Sequence, residues 1–176
     1  MKIAGVDYSM TSPAITTYDT KTNEHNFYFY TGNKKLHWKP PFHGTLHLDW
    51  TTQEQRFDHI GDWALSVVLD CDHIFLEGYA FGAKGQVFSI GENTGVMKNK
   101  LYKAGLAYRT IGPTELKKWA AGKGNALKQH METAFVIETG IQVREEIGQK
   151  ETDENPSSDI IDSYFLAKMG FTSLTA

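Results

Sequence analysis

Three β-rich runs open this chain with only turns between them. Residues 2–8, 14–18 and 25–31 carry β-branched and aromatic side chains, and the turns are Thr11-Ser12-Pro13 and residues 20–23. So short a link cannot carry a strand to a parallel neighbour, so the three runs predict an antiparallel meander. Beyond residue 52 the pattern changes. Apolar spacing through Phe57, Ile60, Trp63, Ala64 and Val67 predicts a helix over 53–69, and residues 73–77 read as a short buried strand. Further helices are expected over 92–104, 114–119 with Thr114 as N-cap, and 125–139 before Gly140. A strand is expected over 107–111, and a last helix runs from a Ser158 or Asp159 cap to residue 169, ended by Gly170. Residues 32–51, 78–91 and 143–158 read as loops. A meander followed by strand–helix alternation predicts an α/β fold. Its sheet is mixed and five-stranded, three antiparallel strands then parallel ones, with helices on both faces.

The length of 176 residues suits one domain, 1–176, with a proper core. No apolar run is long enough to span a bilayer, the N-terminus lacks the apolar stretch of a signal peptide, and the single Cys71 suits a reducing compartment. A cytoplasmic protein is therefore expected. A net charge of −3 argues against nucleic acid until the charges are placed along the chain. Residues 84–128 hold nine Lys/Arg against two acids, whereas 144–154 hold two against five. The first stretch predicts a basic face for phosphates.

Four acids are placed unusually. An apolar strand delivers Asp7 at its end, and a second delivers Glu77 just before a glycine. Asp159 and Asp162 lie three apart, on one face of the last helix. Each has an ordinary use alone, as a turn residue, a surface acid, an N-cap or a first-turn acid. Several acids converging at the ends of buried strands are costly unless protonated, paired or bound to a cation. An all-oxygen set without Cys or His suits a hard ion, Mg²⁺ or Mn²⁺. Other signals are weaker. His37, His43 and His47 with Asp49 lack a Cys pair, and Gly122-Lys123-Gly124 lacks the spacing of a phosphate-binding loop.

In this order the residues resemble the RNase H-like superfamily, and within it the RuvC-type Holliday junction resolvases. The likeness is carried by Gly5-Val6-Asp7 with Ser12-Pro13-Ala14, by Leu76-Glu77-Gly78, and by Asp159-Ile160-Ile161-Asp162-Ser163. Lys117, Gly122-Lys123-Gly124 and Lys128 are similar to that family's glycine segment flanked by two active-site lysines. The resemblance implies an endonuclease that resolves four-way DNA junctions by paired nicking, as a homodimer. Two Mg²⁺ ions would be held by Asp7, Glu77, Asp159 and Asp162, with Lys117 and Lys128 on the scissile phosphate. Tyr79, Phe81, Lys84, Lys118 and Lys123 would contact DNA. Cleavage of RNA or an RNA/DNA hybrid is the alternative within the superfamily. An actin-like ATPase, which shares the opening strand, needs two such domains. Residues 36–50 have no counterpart in the resemblance, and the acidic stretch 144–154 is longer than the resemblance implies.

Overall fold

A computed structural model describes residues 1–79 and 86–176. Among them six strands form one sheet: β1 (Lys2–Asp7), β2 (Ala14–Asp19), β3 (Glu24–Thr31), β4 (Phe42–Leu46), β5 (His73–Glu77) and β6 (Arg109–Ile111). Their order is β4-β3-β2-β1-β5-β6. The pairs β1–β2 and β2–β3 are antiparallel, while β3–β4, β1–β5 and β5–β6 are parallel. Every strand but β2 therefore ends at the same edge of the sheet.

The expected mixed sheet is present, with a sixth strand that was expected to be loop. β4 escapes a pattern reading because Gly44 interrupts it and Pro40 and Pro41 stand directly before it. Gly44 is there for packing: a Cβ would stand 2.6 Å from ring atoms of Trp38 and 2.8 Å from Phe29. Strand β4 thus pairs beside β3 with the Trp38 indole against its backbone.

The six helices described are α1 (Gln53–Val68), α2 (Val87–Lys103), α3 (Pro113–Ala121), α4 (Lys128–Thr139), α5 (Val143–Ile147) and α6 (Ser157–Thr175). Helix α2 begins before residue 92 and α5 forms within an expected loop. Helix α3 starts after Gly112 with Pro113 in its first turn, so Thr114 is not its cap. Helix α4 starts at Lys128, three residues later than expected. Pro156 precedes α6, which puts Asp159 in its first turn, and α6 continues through Gly170. None of the described helices is long and apolar enough to cross a membrane.

Period-2 alternation divides β1 between two cores. Ala4, Val6 and Tyr8 join a cluster with Ile60, Ala64, Val68, Met97 and Leu101 of α1 and α2. Ile3 joins the other, with Phe27, Phe75, Phe135, Ile160 and Phe165 under α3 to α6. Gly5 lies on this second face and lets α6 approach: a Cβ there would fall 2.2 Å from the Ala167 nitrogen and the Ser163 oxygen. Gly170 does the same over the Phe75 ring, at 2.2 Å. The alternation that puts Ile3 and Gly5 against α6 also turns Asp7 toward it, and in β5 Phe75 does so for Glu77.

Candidate active site

Val6 pairs with Leu76 in parallel register, so the next residues, Asp7 and Glu77, leave adjacent strands side by side. Helix α6 brings Asp159 and Asp162 over them. Asp7 and Asp159 are buried, whereas Glu77 and Asp162 are half-buried. Burial pushes the Asp7 carboxyl well above its ordinary range, and the charges of Glu77, Asp159 and Asp162 push it further. Asp7 and Glu77 are close enough for a hydrogen bond between their carboxyls, which requires a proton on one of them. Burial, then Asp159, raises Glu77, while Lys117 opposes. Asp162 is pushed up to about 7 by burial, Glu77 and Asp159, against Lys117 and Lys128.

Asp159 is raised by burial but restrained by hydroxyls. Ser12 Oγ donates to its Oδ2, Ser9 Oγ donates to the same oxygen at 3.3 Å, and Ser158 Oγ reaches Oδ1 at 3.3 Å. The two turn serines are themselves tied, since the Ser12 amide donates to Ser9 Oγ at 3.0 Å. Nearby, Thr16 Oγ1 and Ser163 Oγ share a buried bond of 2.7 Å between β2 and α6. Ser9 and Ser12 are site residues to which the sequence alone assigns no role at the carboxylates; hydroxyls three apart, shortly after the first acid, are the signal for them.

Among the described residues, no three acidic, histidine or cysteine side chains are drawn together closely enough to hold a metal ion as they stand. The donor set nevertheless fits a hard divalent cation. It is all oxygen, partly desolvated, and its mutual repulsion is what a cation would relieve. Around it lie two unlike concavities. One, of about 660 Å³, is lined by Asp7, Met10, Thr11, Glu77, Tyr79 and α2 residues such as Ile90. The other is a basic notch lined by Lys117, Lys128 and Arg144 beside Asp162.

Lys117 is half-buried and acts on Glu77 and Asp162. Lys128 is exposed, and its Nζ lies 2.8 Å from Glu154 Oε2. The acidic stretch that supplies Glu154 is held in place. Arg144 Nη1 donates to the carbonyls of Lys150, Glu151 and Asp153, and Gln149 binds the Asp153 carbonyl and the backbone and hydroxyl of Ser157. Tyr79 is exposed in the larger cleft with Lys98 Nζ 4.9 Å from its ring centroid. Lys118 and Lys123 are exposed on α3 and the turn after it. Phe81 and Lys84 lie outside the described residues.

No protein-family model matches the sequence, and no curated protein matches it significantly. Solved structures do. The chain is similar to Thermus thermophilus RuvC at 17% identity and a TM-score of 0.59, covering 97% of each chain. It is similar to T. thermophilus RuvC in complex with a Holliday junction substrate at 17% identity and a TM-score of 0.62, covering 99% of this chain and 96% of that one. Against the fowlpox virus Holliday junction resolvase the identity is 15% and the TM-score 0.53, covering 99% of both. The fold is therefore RNase H-like in its RuvC-type arrangement.

Proposed function

We propose that this protein is a metal-dependent, structure-selective endodeoxyribonuclease that nicks four-way DNA junctions in pairs. The observation that carries the reading is the convergence of Asp7, Glu77, Asp159 and Asp162 at one strand edge, with Lys117 among them. Two of the similar structures, those of T. thermophilus RuvC and the fowlpox virus resolvase, hold Holliday junction DNA. The four acids would hold two Mg²⁺ ions, with Mn²⁺ able to substitute, and such ions supply Lewis acidity that lowers the pKa of water and neutralises phosphodiester charge.

The protein's own part is positioning and charge. Ser9 and Ser12 hold the Asp159 carboxylate in one orientation. Lys117 stabilises charge that develops on the phosphate as the bond breaks, and Lys128 joins it once a phosphate oxygen replaces Glu154. Tyr79 offers its ring to a base in the larger cleft. Paired nicking needs two sites, hence a homodimer. The exposed side of α2, with Phe88 and Tyr102 largely in solvent and open space over Gly91 and Gly95, supports one.

The test is incubation of the purified protein with labelled four-way, flapped, linear and RNA-hybrid substrates, with Mg²⁺ or chelator. Symmetric nicks in the four-way junction that need Mg²⁺ are expected. Asp7→Asn should still bind the junction while cleavage falls by about 10³-fold or more. Cleavage of the hybrid alone would replace the reading with that of a ribonuclease.

A further inference from the structure

The segment around β4 meets the carboxylate edge. Because β3 and β4 run parallel to β1, Thr31 and Leu46 leave the sheet on the side where Asp7 and Glu77 stand. The chain after β4 is then fastened to the turn that follows Asp7. Arg56 Nη2 of α1 donates to the Met10 carbonyl at 2.6 Å, and the guanidinium carbon lies 5.0 Å from the Trp50 ring centroid. The Leu48 amide donates to Tyr30 Oη at 3.0 Å, and His47 stacks on Tyr30 with ring centroids 4.5 Å apart.

This fastening holds apolar groups in solvent. Trp50 is 44% exposed and Leu48 60%. Together with Lys34 they line a groove of about 470 Å³ that also contains one acid, Asp49. Lys35 is exposed next in sequence, and among the described residues neither lysine nor Arg56 is engaged in an ion pair. Met10 lines the carboxylate cleft and accepts the Arg56 bond on its other side, so groove and cleft adjoin across one turn. An aromatic ring backed by a guanidinium, with lysines beside it, suits a nucleic-acid strand: every base offers a face to stack, and phosphates meet the cations.

Building on the proposed DNA substrate, we infer that this groove is a second DNA-contact surface. It takes a strand leaving the carboxylate site, stacks an unpaired base on Trp50 and places phosphates at Lys34 and Lys35. Residues 36–50, which have no counterpart in the family resemblance, would then extend the enzyme's footprint beyond the cut.

The test measures binding of fluorescein-labelled oligo(dT) and four-way junction by the full-length Asp7→Asn protein, alone and with second substitutions. Trp50→Ala should weaken both by about 5- to 50-fold, and Trp50→Phe should restore most of the loss. The Lys34→Ala/Lys35→Ala pair should lower the salt slope on oligo(dT) by about 1.4 log units, roughly 0.7 for each phosphate contact. Unchanged affinity in Trp50→Ala, or an unchanged slope in the lysine pair, overturns the inference. So does a Trp50→Ala protein that loses a dimer in sedimentation while binding DNA normally, since the surface would then belong to a second copy. If the protein with Asp7 intact cuts junctions and these variants bind normally, only this inference fails. If it neither binds nor cuts DNA, the proposed function falls as well.

Discussion

On one face of the sheet α6 comes so near β1 that Gly5 has no room for a side chain. On the other, α1 and α2 cover the same strand through Ala4, Val6 and Tyr8. Polar groups follow the same division. Against α6, Thr16 bonds Ser163 and Ser12 bonds Asp159. Against α1 and α2, Tyr8 Oη and both amide atoms of the fully buried Asn93 have no protein partner among the described residues. The difference teaches where positional accuracy is needed. Two strand-borne acids must meet two helix-borne acids across a gap that a single methyl group would widen, and only the α6 face bridges that gap. The opposite face supplies burial and tolerates slack.

Gly5→Val breaks the comparison most directly. Its side chain would have to displace helix backbone, so urea unfolding should show a loss of about 3 kcal/mol or more. Ser12→Ala acts on the same face with less force. A hydrogen bond to a buried carboxylate disappears, for an expected loss of about 1.5–3 kcal/mol. Because the Ser12 hydroxyl holds the Asp159 pKa down, its removal should also move the acid limb of a pH–activity profile to higher pH.

The carboxylates should leave a mark on thermal stability. Asp7, Glu77, Asp159 and Asp162 all have raised pKa values when folded, so the folded protein binds more protons than the unfolded chain. Stability is then greatest below the unfolded carboxylate range and falls as pH climbs, over about pH 4 to 7 for Asp162. Tm of the metal-free protein should drop by a few degrees between pH 5 and pH 8, and Mg²⁺ should restore it. A Tm that rises over this interval would contradict the clustering. The smallest effect belongs to the other face. Asn93→Leu removes unpartnered polar atoms and should be neutral or stabilising, within about 1 kcal/mol. A large loss would show that the amide has a partner.

Much of this arrangement can be read from the chain before any coordinates. Alternation in residues 2–8 assigns Asp7 to a face, the parallel crossover brings Glu77 beside it, and the three-residue spacing pairs Asp159 with Asp162. The misreadings share a cause. Gly44 disguises a strand, Gly91 sits inside α2 where the pattern predicts a loop, and Gly170 reads as the end of a helix that runs on to Thr175. A glycine that loosens a backbone and one that admits a neighbouring ring look alike in sequence. Only the partner tells them apart, and for Gly44 and Gly170 those partners are Trp38 and Phe75. The Ser9 and Ser12 hydroxyls on Asp159 are hidden for a related reason, since they act across 150 and 147 residues of chain.

Lys128 already holds an anion, the side chain of Glu154. A polyanion that arrives there evicts a tethered carboxylate and frees little bound salt. Under the proposed function, counting exposed lysines would therefore overstate how sharply added electrolyte weakens capture, and the acidic loop would buffer the protein's grip against changes in ionic strength.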